Sequence, residues 1–416
     1  MAANTNYSYS AGIQDTLPIQ GFLQRRALEN VEPNLGYMAD AQMIEQPKNN
    51  GRYVQFFRYT ELPPIDKPLF EGITPDGQNL EETAFSVMTK NYGGWMSYTD
   101  ELDLWHVDKK TIAISDRLNN QAKLTLDTVC RDQICAGLNV MYPGSVSARS
   151  SITASDKISY AMIKKAVRNL KMKGAQPFED GFFHAKIDHE TYYDLTEDDN
   201  WKDANKYQDK TRESKYELGT LYKVKFFEVD NGKVFKDDTY IYGTTASLPM
   251  ANVAYDRNTR TMVVTAALDT DTARWLTGKL VQVKVGSSYT LMCIEKVTPG
   301  STTAEIKFRW QPAASVTNTW VYNSTASSNT QIVPTGGGAA GVEVHASLIY
   351  GKNAFGCVTL GTAKKPNIQM IVKPLGSEGS TDPLNQRGSI AWKVPFFACA
   401  VLQDDFICRL EHAVSA

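Results

Sequence analysis

The chain has 416 residues, 42% of them hydrophobic and 22% charged, so it is long enough for about two or three domains and too apolar for wholesale disorder. Lysine and arginine number 44 against 46 aspartates and glutamates, which gives a net charge of −2. This balance argues against a dedicated nucleic-acid binder, because such a protein needs a clustered basic face to neutralise phosphates.

Cysteine usage and the apolar runs indicate where the protein is made. The six cysteines are scattered without a CxxC spacing and several stand in apolar runs, so we expect reduced, buried thiols. The N-terminus lacks the features of a signal peptide, and no apolar run reaches the ~18 residues of a membrane span. We therefore expect a protein that is made and used in a cytoplasm, with no membrane partner.

The first 100 residues contain an arm and a hairpin. Residues 1–47 have too little periodic apolar content for a core, so they need a surface, either their own chain's body or a neighbouring subunit. Arg52 to Leu62 (RYVQFFRYTEL) and Thr83 to Thr89 (TAFSVMT) predict two strands around a stretch rich in proline and glycine. We interpret them as an extended hairpin that rests on a partner, because two strands alone are marginally stable. An ordinary edge hairpin is the alternative.

A strand and two helices are predicted next. Residues 91–100 (NYGGWMSYTD) predict a strand that runs into a helix start, with glycines that let the strand's end bend. Apolar residues at helical spacing predict a helix from about Val107 to Gly137, roughly 45 Å long. A second helix is predicted from a capping-box-like start at Thr153 and Asp156 to Gly174, and its basic face is interpreted as solvated.

The middle of the chain predicts a mixed α/β unit and then a β-rich one. Residues 182–187 and 221–229 predict strands, and Asp188 is expected to cap a helix through Leu195. From about residue 235 to 341, short strands separated by turns predict a small all-β sandwich or barrel. The segments on either side of this β-rich unit look like parts of one domain, so we interpret it as an insertion.

No catalytic or metal-binding pattern is present in the sequence. The five histidines are dispersed without HExxH, and neither a GxSxG elbow nor a P-loop occurs. Asp269 and Asp271 predict a turn rather than a calcium loop, and Lys67 and Lys90 are interpreted as solvated lysines. We therefore predict no enzymatic activity, no catalytic residue, no metal site and no cofactor.

The C-terminal region predicts strand, long loop and strand. Ile368, Met370 and Val372 alternate with polar or neutral neighbours, and the residues from Pro374 to Gly388 predict a loop. Alternation resumes at Ile390, and an apolar run continues to Leu402. Within this region, KPLG…G…DPLNQRGSIAWK (residues 373–393) resembles the end of the major capsid proteins of N-four-type tailed phages, and residues 91–100 resemble the same family.

This resemblance implies an α+β, Hong Kong 97-like shell fold with an inserted all-β domain. The implied parts, with their predicted bounds, are an N-terminal arm (1–47), an extended loop hairpin (48–100), the spine helix with the peripheral domain (101–152), the first part of the axial domain (153–234), the insertion (235–341), the axial return (342–367) and the peripheral closing strands (368–416).

The resemblance also implies a function. Subunits of the family assemble as pentamers and hexamers into an icosahedral head that encloses double-stranded DNA without sequence-specific binding, in the host bacterial cytoplasm. Portal and scaffolding proteins are implied partners, and decoration proteins are further candidates. The alternatives are a host-encoded nanocompartment shell of the same fold and a soluble hydrolase with a β-sandwich appendage.

The family's peripheral loop lies where three subunits meet, so the resemblance makes four polar residues of this loop candidates for contacts between subunits. They are Asp382, Asn385, Gln386 and Arg387. A plain surface turn is the alternative interpretation. Trp392 and Phe396 are predicted to anchor the core beneath the loop.

Overall fold

The structure, a computed structural model, is a mixed α+β fold. It describes residues 36–47, 49, 51–59, 62, 64–66, 68, 77–80, 82–101, 110–206, 217–238, 241, 247–249, 261–285, 288–309, 330–360, 368–376, 384 and 386–415. The predicted arm up to residue 35, Lys67, most of the hairpin tip, Asp382 and Asn385 lie outside the described residues. No described helix is both long and apolar enough to cross a membrane.

Five α-helices lie in the described residues. They are α1 Lys110–Cys135, α2 Tyr160–Met172, α3 His189–Glu197, α4 Asp199–Lys206 and α5 Thr270–Leu276. The stripe predicted for the long helix α1 is its buried face, since Leu118, Ala122 and Leu126 are all in the core.

The described residues also form twenty strands. They are β1 Gln42–Gln46, β2 Tyr53–Tyr59, β3 Glu82–Met88, β4 Lys90–Thr99, β5 Val140–Met141, β6 Phe183–Ile187, β7 Glu217–Leu221, β8 Val224–Glu228, β9 Lys233–Phe235, β10 Leu248–Pro249, β11 Thr261–Val264, β12 Leu280–Val285, β13 Ser288–Thr298, β14 Ala304–Phe308, β15 Thr330–Val333, β16 Val344–Tyr350, β17 Phe355–Leu360, β18 Gln369–Lys373, β19 Arg387–Val401 and β20 Ile407–His412.

These strands form four sheets. A seven-stranded sheet has the order β5-β20-β16-β6-β8-β7, with β9 also paired to β16. A five-stranded sheet has the order β1-β17-β19-β18, with β4 on β19, and β2 pairs with β3 as a separate hairpin. The strands β10-β15-β12-β13-β14-β11 form the six-stranded sheet of the β-rich segment. Every residue of β16 is buried, as expected for a strand covered on both faces.

Strand pairing crosses two of the predicted domain boundaries, because long-range pairing decides which sheet a strand joins. β17 lies within the predicted axial return and pairs with β19 in the five-stranded sheet. β20 lies within the predicted peripheral closing strands and pairs with β16 and β5 in the seven-stranded sheet. The predicted all-β segment contains the helix α5 and has its own buried core, while β9 and β16 on its two flanks pair directly.

Two of the predicted local structures are also wrong. α2 begins after Ser159, whose hydroxyl accepts a hydrogen bond from Met162 N at 3.4 Å, while Asp156 closes an isolated upstream turn by accepting from Thr153 N at 2.8 Å. Asp269 is the N-cap of α5 and accepts from Thr272 N at 3.0 Å. Short polar side chains serve both turns and helix caps, so local sequence alone did not separate the two.

The described end of the arm lies on its own chain. β1 runs parallel to β17, and Tyr37 is fully buried with its backbone N–H donating to Asp127 Oδ1 at 3.0 Å. Asp40 accepts from Tyr350 Oη at 2.7 Å and pairs with Lys186 at 2.9 Å. Of the two surfaces expected for the arm, these residues therefore use the body of the same subunit.

A buried cluster of three charges joins distant parts of the chain. Glu411 accepts from Arg149 Nη2 at 2.5 Å and from Arg409 Nε at 2.8 Å. Arg149 also donates to the Thr335 carbonyl at 2.7 Å, and Arg409 donates to the Gly137 carbonyl at 2.9 Å. Because all three side chains are buried, each charge depends on the others for compensation.

Glu411→Gln is expected to lower the free energy of unfolding by about 3–5 kcal/mol, because it leaves two buried guanidinium groups without their carboxylate. Urea denaturation measures the change. Glu343→Gln is the matched control, since Glu343 pairs with Lys236 at 2.8 Å on the exposed surface and should leave the transition unchanged. Equal transitions for the two variants would contradict the assignment.

Asp404 gives the stability a distinct pH dependence. Its buried carboxylate accepts from Leu138 N at 3.0 Å just beyond the C-terminal end of α1, and burial raises the pKa of Asp404 to about 6. The unfolded pKa is about 3.9, so the folded chain binds the proton more tightly. The contribution of Asp404 to stability is therefore complete below about pH 4 and is lost as the pH rises through about 6.

Asp404→Asn is expected to remove this loss. Between pH 4 and pH 7, the wild type should lose about 2 kcal/mol of unfolding free energy relative to the variant, because two pKa units correspond to about 3 kcal/mol and part of this is already lost at pH 4. The measurement is urea denaturation of both chains across this range. A difference between them that does not change with pH would contradict the raised pKa.

Candidate functional site

The two segments that carry the family resemblance are neighbouring strands. β4 pairs antiparallel with β19 in a register that runs from Arg387 opposite Thr99 to Lys393 opposite Gly93. The strand β18 pairs along the other edge of β19. The outer half of the five-stranded sheet, formed by β18, β19 and β4, is therefore built from both motifs and is called here the motif sheet.

The inner face of the motif sheet packs on α1. Trp392 is only 3% exposed, and its Nε1 donates to Gln121 Oε1 at 3.0 Å. A Cβ on Gly94 would lie 2.9 Å from both of these atoms, so this position has room only for glycine. Gly93 and Gly94 lie within β4, so the predicted bend at a strand end is wrong. The glycine gives space to the tryptophan instead.

The predicted anchor Phe396 is displaced by one position. A β-bulge separates the pairs Val394–Tyr92 and Phe397–Lys90, and Phe396 has a φ of 51° with its N–H donating to Asn91 Oδ1 at 3.0 Å. The extra residue shifts the alternation, so Phe397 is buried and Phe396 is half-buried. Strict alternation from Trp392 therefore selected the wrong phenylalanine.

One row of residues across the outer face of the motif sheet is apolar and open. Trp95, Ala391 and Ile371 are directly opposite one another on the three strands, so their side chains form one row. Trp95 is 69% exposed and Ile371 is 42% exposed. The sequence did not predict this row, because only the pairing register of the three strands shows that these residues lie side by side on the outer face.

The described loop residues lie at the start of β19, beside the end of β4. Arg387 is exposed and opposite Thr99, and the Gln386 carbonyl accepts from Asp100 N at 3.0 Å. Leu384 is also exposed. Gln386 and Arg387 are thus placed together beside the end of β4.

The hairpin of β2 and β3 presents a second open aromatic face. Tyr53, Phe57 and Tyr59 alternate along β2, which places them on one side, and each is more than half exposed. An apolar surface left in water costs about 25 cal/mol per Å², so such faces are typical of surfaces that a partner covers.

Lys90, at the end of the hairpin nearest the body, is not the solvated lysine that we predicted. Its ammonium donates to the Glu295 carbonyl oxygen and lines a cavity with Arg309. Burial and the neighbouring guanidinium lower the pKa of Lys90 to about 8. The lysine therefore serves a contact between the base of the hairpin and the six-stranded sheet.

One serine–histidine pair has the spacing of a nucleophile and its base. Ser347 Oγ lies 2.9 Å from His412 Nε2, but both side chains are buried inside the seven-stranded sheet. The other ring nitrogen of His412 contacts the Ala413 carbonyl at 3.1 Å rather than a carboxylate. A substrate has no access to this pair, so it gives the hydrolase alternative no support.

The sequence matches no protein-family model and no curated protein. The fold is similar to that of chains from the capsid of Ralstonia phage GP4, at 12% identity, with a TM-score of 0.55 and coverage of 99% of each chain. It is also similar to a chain of the cyanophage P-SCSP1u capsid, with a TM-score of 0.52, 12% identity and coverage of 96% of this chain and 94% of that chain. A chain of the cyanophage Pam1 capsid is similar too, with a TM-score of 0.52, 12% identity and coverage of 97% of this chain and 99% of that chain.

These likenesses span almost the whole of every chain compared. At 12% identity they establish the fold. The chain therefore has the α+β fold found in phage capsids.

Gly94→Ala is expected to lower the free energy of unfolding by about 1–3 kcal/mol, because the added methyl group pushes apart Trp392 and Gln121. The matched control is Gly77→Ala, since no atom lies within 4 Å of the Cβ position there. Urea denaturation with tryptophan fluorescence follows both. An unchanged transition for Gly94→Ala would show that the site has room for a side chain.

Proposed function

We propose that this chain is the major capsid protein of a tailed phage with a Hong Kong 97-like fold. Subunits assemble as pentamers and hexamers into an icosahedral head around double-stranded DNA. The observation that carries the proposal is a pair of open apolar surfaces, the row of Trp95, Ala391 and Ile371 on the motif sheet and the aromatic face of the hairpin, in a chain whose fold matches phage capsid chains over nearly its full length.

These open surfaces need neighbours. A two-stranded hairpin with exposed aromatic residues is marginally stable alone, and a second subunit supplies the apolar surface that it lacks. Each contact can be weak, because closed symmetry repeats it many times and effective concentration multiplies the affinity. Gln386 and Arg387 are proposed to contact other subunits beside the motif sheet, with Asp382 and Asn385 further along the same loop.

The remaining parts take the roles that the resemblance implies. α1 is proposed as the spine helix, β2 and β3 as the extended loop, the seven-stranded sheet as the axial domain and the five-stranded sheet as the peripheral domain. The six-stranded sheet is proposed as an insertion that projects outward, because an inward projection would take volume from the genome. The net charge of −2 supports a wall that encloses DNA without binding it specifically.

Portal and scaffolding proteins are the proposed partners, with decoration proteins as further candidates, and assembly takes place in the host cytoplasm before the subunits become part of the virion. The test is electron microscopy of the purified chain, with and without a scaffolding protein supplied in trans. We expect capsomers or shells. A stable monomer under all conditions would contradict the proposed function.

Trp95→Ser is expected to reduce assembly at least tenfold, because it removes the largest side chain of the open row, while leaving the monomer's unfolding transition within 1 kcal/mol of wild type. Trp275→Ser is the matched control, since Trp275 is 49% exposed on α5 of the six-stranded unit. Light scattering and sedimentation measure assembly. If Trp275→Ser loses assembly and Trp95→Ser does not, the contact between subunits does not involve the Trp95 row.

A further inference from the structure

Three thiols from three distant elements meet in the core under α1. Cys357 of β17 and Cys399 of β19 are directly opposite one another, and Cys130 of α1 lies above them. The Sγ atoms of Cys130 and Cys357 are 3.3 Å apart, and all three sulfur atoms lie within 4.8 Å of one another. The three residues are buried and form no disulfide, which confirms the prediction of buried, unpaired cysteines.

The spacing of the sulfur atoms is that of a ligand set. Cysteine sulfur binds metal ions such as zinc at about 2.3 Å, so two sulfurs on one ion are at most about 4.6 Å apart and about 4 Å apart in a trigonal arrangement. The cluster meets this limit with small side-chain adjustments. Cysteine also packs as a small apolar residue, but ordinary packing does not require three thiols to share one centre.

The charges beside Cys399 suit an anionic complex. A cavity of about 20 Å³ is lined by Cys399, Lys90, Arg309 and Glu295. The Arg309 guanidinium contacts Gln133 Oε1 at 3.4 Å and Tyr92 Oη at 3.5 Å, and within the described residues it has no carboxylate partner at ion-pair distance. Two cationic side chains thus border the thiol nearest the cavity, together with the Glu295 carboxylate, which pairs with Lys307 at 3.8 Å.

We propose that Cys130, Cys357 and Cys399 form a trigonal thiolate site for one soft monovalent ion, copper(I). Copper(I) favours thiolate ligands, whereas structural zinc takes four ligands, and no fourth His, Cys, Asp or Glu of the described residues joins this group. Binding replaces three S–H bonds by three S–Cu bonds and releases three protons to solvent, with no change of oxidation state. The complex carries a charge of about −2, which Lys90 and Arg309 offset.

A bound ion would join α1 to β17 and β19, the strands at the centre of the five-stranded sheet, and would stabilise the folded chain through linkage. This inference does not depend on the proposed function, because it concerns the core of a single subunit.

The test uses the full-length chain, purified under a phosphine reductant. Copper(I) is titrated in competition with a chromogenic copper(I) chelator, and a second sample comes from cells grown with added copper, so that the ion is present while the chain folds. We expect one copper per chain. Cys399→Ser should bind at least tenfold more weakly, since loss of a ligand exceeds the effect of losing an outer-shell partner.

Cys408→Ser is the matched control, because Cys408 is a buried cysteine in a different core cluster and should retain full binding. Absence of copper in both wild-type samples, or equal binding by Cys399→Ser, would overturn the proposal. If Cys399→Ser does not fold, X-ray absorption of the wild-type copper complex decides. A shell of three sulfurs supports the site, and a nitrogen or oxygen shell overturns it.

Discussion

The fold depends on the backbone pairing of one strand, β19. Its 15 residues pair with β4 along one edge and with β17 and β18 along the other, so it connects segments that are hundreds of residues apart in sequence. The bulge between Val394 and Phe397 lets one strand serve two environments. Before it, alternate residues face α1 or the open surface, and beyond it every residue from Phe397 to Val401 is buried.

Polar interactions in the interior fix how the two sheets and α1 meet. Apolar packing is non-directional, whereas the Arg149–Glu411–Arg409 cluster is satisfied in one arrangement of the helix end and the closing strand. Asp127 and Asp40 fix the position of the described end of the arm, because Asp127 accepts from Tyr37 N and Asp40 accepts from Tyr350 Oη. These buried groups therefore specify the positions of elements that hydrophobic burial alone would leave free to shift.

The functional proposal follows from the contrast between the two faces of the motif sheet. On the inner face, Gly94 leaves room for the indole of Trp392, which donates to Gln121 of α1, so the chain itself covers the centre of this face. On the outer face, Trp95 and Ile371 have no equivalent cover among the described residues. A chain with a phage-capsid fold that leaves these side chains open is well suited to assembly, because the missing surface can come from another copy.

The sequence by itself determined the elements whose signals are local. The stripe of α1, the apolar face of α2, the cap at Asp188 and the alternation around Trp392 were all readable, because helical and strand periodicity depend on nearby residues. The motifs at residues 91–100 and 373–393 also gave the resemblance to phage capsid proteins. Only the tertiary structure decided which sheet receives β17 and β20, that Phe397 replaces Phe396, that Trp95 faces outward, and that three cysteines meet. Each of these depends on strand register or on contacts between distant residues, and a one-residue shift in register turns every side chain to the opposite face.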